Sequence, residues 1–378
     1  MATSQPRKTA KGERRHRRRF QNGRGERPDI FAALDLGTNN CRLLIARQHG
    51  KGFRVIDSFS RIVRLGEGVS LSGRLSDEAM ERTVDALSIC AEKMRRAGVT
   101  HQRCVATEVC RKADNSDDFL GRVAHRCGLD FDIISTAEEA TLAAEGCAPL
   151  IDYRHRYALV FDIGGGSTEL VWLGLSGRKQ SEVLGWTSIP VGVVTLTERH
   201  GGITITDESY RRMMQEVAAY VDAFEAEHGI AERIRDGRVQ MLGTSGTVTT
   251  LAGVHFGLER YSRARVDGAW LSASSMLDIC RRLAGSDYEA RLQEPCIGRE
   301  RADLVVSGCA IVEAMHRRWP VGKLRVADRG LREGMLLEMM REAREARAAK
   351  AEARRQVKLA RGAGETGAAM KSEQKAAS

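Results

Sequence analysis

The stretches DLGTN (residues 35–39) and DIGGGSTE (residues 162–169) decide how this chain reads. Each follows an apolar run, IFAAL before the first and YALVF before the second, so each aspartate stands where a strand ends and the chain turns. Turns of this composition suit phosphate. Glycine lets the backbone approach an anion closely and aim successive N–H groups at it, while an aspartate at a strand end can hold a hydrated Mg²⁺ that bridges phosphate oxygens. Two copies in like settings predict two similar halves facing each other across a cleft.

Outward from the first turn, CRLLIAR and FRVIDSF predict two strands joined through QHGKG as a hairpin. A helix follows over 76–97, with Met80, Val84, Leu87, Ala91 and Met94 as its apolar stripe and Gly98 as its stop. CVAT is a short strand, EVCRKADN leads into a helix over 116–127, and strand-like FDIIST precedes the helical AEEATLAAEG. The second half repeats the order, with strands ELVWLGL and EVLGWTSIP after its glycine turn and a helix over 207–228 opened by Thr206 or Asp207 and closed by Gly229. VQML ends at Gly243 and a helix begins within 244–250; ADLVVSGCAIVEAMHRRW and GLREGMLLEMMREA are helical on either side of the strand KLRVAD. Strands alternating with helices give an α/β class with mixed sheets, and the repeated order predicts a duplicated domain.

At 378 residues the chain passes the size at which one core stops growing, and its 42% hydrophobic content suffices for two. The expected division is a basic arm at 1–27, a first domain at 28–145 completed by a helix at about 330–345, a second domain at 146–329, and a tail at 346–378. The tail reads as partly helical or disordered, with Gly362, Gly364 and Gly367 ending its helix. No apolar stretch nears the roughly 20 residues that span a bilayer, and the basic N-terminus lacks a signal peptide's apolar segment, so a cytoplasmic protein is expected. Nine cysteines stand singly with no CxxC pair, which favours free buried thiols over disulfides or zinc. The net charge of +10 sits at the ends: residues 1–27 hold ten Lys or Arg against two Glu, residues 341–378 ten against five, and residues 28–340 are left at −3. RRHRRR at 14–19 reads as disordered, either a solubilising arm or an electrostatic hook for RNA or another polyanion.

The ordered set DLGTN, DIGGGST and LGTSGT resembles the phosphate-gripping turns of the superfamily of actin, heat-shock chaperones and sugar kinases. Within it, FAALDLGTNNCRLLIA, VATEVCRKADN, IISTAEEATLAAEG, FDIGGGSTELV, LGTSGTVTTLAG and DRGLREG make residues 29–340 similar to the exopolyphosphatase/guanosine pentaphosphate phosphatase family. The resemblance implies two ribonuclease H-like (actin-like ATPase) domains with mixed sheets flanked by helices, an active site in the interdomain cleft, and a homodimer. Phosphoanhydride hydrolysis needs an oriented water, a base, and positive charge on the developing phosphoryl oxygens. Glu138 and Glu139 stand where a strand gives way to a helix; as bare residues they also suit an ordinary first helical turn, whose dipole favours acids. The resemblance assigns the base to Glu139, with Glu138 beside it, and the positive partner to Arg111. Lys112 reads equally well as solvated. Asp162 and Glu169, with Asp35 behind them, form the candidate metal set, and oxygen-only ligation suits Mg²⁺ or Mn²⁺. Gly164, Gly165, Gly166, Ser167 and Thr168 are expected to donate to phosphate from one wall, Gly37, Thr38 and Asn39 from the other, and Gly243, Ser245 and Gly246 from the third turn. Arg301 and Asp303 in RADLVV match a further family segment, as structural or channel-lining residues.

Two departures mark this chain. Thr136 stands in ISTAEE where the family has glycine, and GTNN replaces the commoner glycine-serine-asparagine-serine, keeping a hydroxyl at Thr38 and placing Asn40 last. The helical phosphohydrolase domain of longer relatives is not expected here, since the chain lacks an HD pair. The expected activity is metal-assisted release of terminal orthophosphate from inorganic polyphosphate. Guanosine pentaphosphate is the alternative substrate, because it too presents a terminal phosphoanhydride. A kinase or chaperone-like ATPase and a non-catalytic nucleotide-binding scaffold are the competing classes.

Overall fold

The apolar runs IFAALDL and YALVFDI become central strands buried along nearly their whole length in the same pattern, as strands covered on both faces are. In the computed structural model, which describes residues 29–50, 52–177 and 180–376, the first of them is β1 (Ile30–Leu36). It pairs antiparallel with β2 (Asn40–His49), which pairs with β3 (Gly52–Ile62); β4 (His101–Ala106) and β5 (Asp132–Ile133) extend the other side in parallel. The first sheet therefore runs β3-β2-β1-β4-β5. β6 (Tyr157–Ile163) starts the plan again. β7 (Thr168–Ser176) and β8 (Gln180–Ile189) form its antiparallel side and β9 (Val239–Thr244) its parallel side, with β10 (Trp270–Ser272) and β11 (Lys323–Ala327) completing the order β10-β11-β9-β6-β7-β8. Two mixed sheets of like topology are what the repeated order of elements predicts.

Helices cover these sheets through ordinary capping and patterning. Ser76 accepts a hydrogen bond from the Ala79 amide and opens the helix Asp77–Ala97, Gly98 closes it with a left-handed backbone, and Met80, Val84, Leu87 and Met94 face the first core. Thr206 and Ser209 form a reciprocal cap on the helix Asp207–His228, which ends at Gly229 and buries Met213, Val217, Val221 and Phe224 in the second core. The helix Leu331–Ala376 returns to the first sheet, where Leu331, Met335 and Leu336 pack with Phe31, Ala33, Leu44 and Leu142.

Several elements differ from their sequence reading. FDIIST yields only the two-residue β5, because the chain turns at once into the helix Thr136–Cys147. Gly362, Gly364 and Gly367 lie inside the last helix and do not end it; an isolated glycine costs a helix about 1 kcal/mol relative to alanine, which alanine-rich neighbours tolerate. The helices Val193–His200, Ala273–Ala284 and Tyr288–Gln293 and the strand β10 carried no signal strong enough to read. All nine cysteines are free. Among the described residues no helix is long and apolar enough to cross a membrane. The arginine run at 14–19 lies outside the described residues.

Candidate active site

The two central strands deliver Asp35 and Asp162 to equivalent places, the sixth residue of β1 and of β6. Each then meets the residue seven positions on, across its hairpin: Asp35 pairs in register with Arg42, and Asp162 with Glu169. One wall thus sets an arginine opposite its acid, the other a second acid. Both glycine turns hold their backbone the same way, with the Gly37 amide donating to the Asn40 carbonyl and the Gly164 amide to the Ser167 carbonyl, each at 2.9 Å. The carbonyls of Thr38 and Asn39 accept from Gly66, Val63 and Arg64, and those of Gly164 and Gly165 accept from Val193 and Val194. No protein acceptor engages the amides of Thr38, Asn39, Gly165 or Gly166 among the described residues. Carbonyls tied away from the cleft and amides left for it are the makings of an anion cradle.

The turns touch. A Cβ on Gly165 would lie 3.1 Å from the Thr38 and Asn39 side chains, and one on Gly166 would lie 2.8 Å from the Thr38 hydroxyl and 1.3 Å from Glu108 Oε2. Only glycine permits this approach, so the unusual triplet is explained by the closing of two walls. Between them lies a cavity of about 110 Å³. Its lining includes Asp35, Gly37, Thr38, Asn39, Glu139, Asp162, Gly164, Gly165, Gly166, Ser167, Glu169, Ser245 and Gly246, all expected from the sequence. Ser245 opens the helix Ser245–His255 in a left-handed backbone, φ 80°, that a side chain seldom adopts.

Glu139 enters from the first turn of the helix Thr136–Cys147, capped by Ser135. Arg111 Nη1 donates to Glu139 Oε2 at 2.9 Å and to the Ile134 carbonyl at 2.8 Å, which fixes the carboxylate's direction. Burial pushes the Glu139 carboxyl well up from its ordinary range, Glu169 pushes it further, and Arg111 opposes the rise. Burial likewise raises Asp35, takes Asp162 up to about 6, and with the Asp162 charge takes Glu169 up to about 7. Ser167 and Ser188 both donate to Glu169 Oε1, at 2.6 and 2.8 Å, so Oε2 is engaged by neither.

Four expected residues stand elsewhere. Glu138 is turned away from the cavity and ion-pairs with Arg103, because successive positions on a helix point about 100° apart. Thr168 is fully buried and its hydroxyl donates to the Val191 carbonyl, since it is the first residue of β7 and faces the core. Gly243 packs against the Phe161 ring within β9. Arg111 does not line the cavity and acts through Glu139. Lys112 is half-exposed and paired with Glu108; Asp303 pairs with Arg64, and Arg301, whose Nη1 donates to Thr250 Oγ1 at 3.1 Å, lines the cavity.

The cleft also holds residues that the sequence reading passed over. Arg42 was legible by superposing the two hairpins, since it takes the step that Glu169 takes in the second. Glu108 lies within EVCRKADN, and nothing short of the parallel pairing of β1 with β4 brings it to the turns. Among the described residues no three carboxylate, histidine or cysteine side chains converge on one point. Asp35, Asp162 and Glu169 therefore line the cleft without forming a closed cage. That arrangement fits Mg²⁺, which keeps several waters and takes one or two carboxylates plus substrate oxygens. The facing Asp162 and Glu169 call for a cation, and Asn39 Oδ1, buried at the same cleft with no hydrogen-bond partner, adds an orphaned oxygen.

The sequence profile of the Ppx/GppA phosphatase family matches residues 44–343. Exopolyphosphatase 2 of Mycobacterium tuberculosis (strain CDC 1551 / Oshkosh) is 31% identical over 326 residues, covering 82% of this chain and 98% of that protein. The crystal structure of the Aquifex aeolicus Ppx/GppA family member is similar at 26% identity and a TM-score of 0.68, over 83% of this chain and 98% of that one. An exopolyphosphatase from Cytophaga hutchinsonii shares the fold, with a TM-score of 0.73 at 24% identity over 83% and 98% of the two chains. With most of its length matched by the family profile and by a relative above 30% identity, this chain belongs to the Ppx/GppA phosphatase family.

Proposed function

We propose that the protein is an exopolyphosphatase that removes terminal orthophosphate from inorganic polyphosphate. The observation that carries the reading is Glu139, a desolvated carboxylate held by Arg111 at the wall of a cavity whose other walls are two sets of free backbone amides. The amides of Thr38, Asn39, Gly165 and Gly166 and the helix end at Ser245 and Gly246 grip the terminal phosphoryl groups. Glu139 takes a proton from a water as its oxygen bonds to the end phosphorus, and the bridging P–O bond breaks toward the remaining chain. The raised basicity of Glu139 suits that task. Asp162 and Glu169, with Asp35 behind, would hold Mg²⁺ or Mn²⁺, which supplies positive charge to the phosphoryl oxygens. Arg42 and Arg301 add fixed charge, so a polyanion is accepted although carboxylates outnumber cations around the cavity.

The same reading places the molecule in the cytoplasm as a homodimer, with domains at 28–145 plus about 330–345 and at 146–329. The return of Met335 and Leu336 to the first sheet supports that division. Phosphate release from long polyphosphate, from guanosine pentaphosphate and from ATP, measured side by side with Mg²⁺, tests the function. Polyphosphate is expected to be the best substrate, and Glu139→Gln is expected to lower its turnover roughly 10²- to 10⁴-fold with the melting temperature retained. Turnover of ATP alone, or an undiminished Glu139→Gln enzyme, overturns the proposal.

A further inference from the structure

We infer that Glu108 is a tethered competitor anion of the phosphate cradle, which weakens the hold on orthophosphate so that product leaves and polyvalent chains are preferred. The inference rests on the reading of the two glycine turns as the phosphate site. Glu108 opens the short helix Glu108–Lys112 directly after β4 and is only 7% exposed. Its Oε2 accepts from the Thr38 hydroxyl at 3.1 Å and is the atom that a Cβ on Gly166 would strike at 1.3 Å. Its other oxygen is paired with the half-exposed Lys112. The carboxylate therefore bridges the gap between the two walls, accepting from the Thr38 hydroxyl on one and packed against the Gly166 backbone on the other.

This position differs from those of the other acids in the cleft. Asp35 lies against Arg42, Glu139 against Arg111, and Asp162 against Glu169 at a strand end, all beside the cradle. Glu108 lies on it. A threonine hydroxyl has one proton to donate, so a phosphoryl oxygen and Glu108 Oε2 cannot both receive it. Two anions in van der Waals reach of Gly166 also repel each other strongly in a water-poor site. A single orthophosphate must displace the carboxylate using the cradle alone. A polyphosphate chain brings several further phosphoryl groups to Arg42, Arg301 and the helix end at Gly246, and these offset the displacement. Lys112 gives the displaced carboxylate a partner outside the cradle.

Titration calorimetry of orthophosphate into the full chain with MgCl₂ tests this, using wild type, Glu108→Gln and Thr38→Val. Glutamine keeps the shape and the acceptor for Thr38 but drops the charge. Glu108→Gln is expected to tighten orthophosphate binding about tenfold, while its KM for long polyphosphate changes less. Unchanged or weaker orthophosphate binding by Glu108→Gln, when Thr38→Val does weaken it, overturns the inference and leaves the cradle standing. Orthophosphate binding indifferent to Thr38→Val overturns the cradle itself. Should Glu108→Gln melt below the assay temperature, Lys112→Met replaces it: loss of the outer partner leaves Glu108 in the cradle and is expected to weaken orthophosphate several-fold, and no weakening overturns the inference.

Discussion

Asp162 and Glu169 face each other across β6 and β7, and like charges opposed on one sheet face destabilise it unless something answers them. Their carboxyls, raised to about 6 and about 7 by burial, make that tension measurable. The folded state binds these protons more tightly than the unfolded chain, whose carboxyls titrate near 4. Their stabilising contribution is therefore complete below about pH 4 and is lost as pH climbs through 6 and 7. In chelator-treated protein the free energy of unfolding is expected to fall between about pH 4 and 7.5, by an amount on the order of 3 kcal/mol for Asp162 alone. Mg²⁺ should restore it at the upper end and Asp162→Asn should flatten the slope; a flat wild-type profile contradicts the assignment. The seven-residue spacing of both acidic turns is plain in the sequence. That Arg42 stands opposite Asp35, and Glu169 opposite Asp162, depends on strand register.

At the scale of elements, the helix that carries Glu139 is held by a glycine crossing. A Cβ on Gly146 would lie 2.0 Å from the Gly330 carbonyl, and one on Gly334 would lie 2.0 Å from the Leu142 carbonyl, so the helices Thr136–Cys147 and Leu331–Ala376 meet backbone to backbone. Gly334→Ala is expected to cost about 2–4 kcal/mol in urea unfolding, through overpacking against a carbonyl that cannot yield. It should also lower turnover more than KM, since the shift moves Glu139. Neutral stability would show that the helices separate freely. Both segments were legible as helices from composition. Their contact was not, because glycine inside a helix reads as a weakness until its partner is known. Likewise Glu138 and Glu139 are adjacent in sequence, and only the helix's orientation turns one to Arg103 and the other to the cavity.

At the scale of the whole molecule, the two halves are joined at the mouth of the cleft by the loop after β3. Arg64 Nη1 and Nη2 donate to Asp303 at 2.9 and 3.1 Å, and Nη2 also reaches the Glu300 carbonyl at 3.3 Å. Glu198 accepts from the Gly68 amide at 2.9 Å and from Ser70. Arg64 holds a left-handed backbone, φ 48°, which costs energy and marks a position set by its contacts. Paired removal by Asp303→Ala and Glu198→Ala is expected to open the molecule. Small-angle scattering should report a larger radius of gyration, and KM for polyphosphate should rise roughly tenfold with folding intact. An unchanged radius and KM would show that these contacts do not hold the closed form.

The chain by itself determined the α/β class, the duplicated order of strands and helices, and the identity of most residues at the cleft. Those features are local, because turn chemistry, capping and apolar period act within a few residues of one another. Tertiary structure alone decided that Glu108 lies on the cradle, that Thr168, Gly243 and Glu138 leave it, and that Gly146 meets Gly330. Each of these follows from strand register or helix crossing between segments far apart in sequence, and such pairings are set by the packing of the whole core.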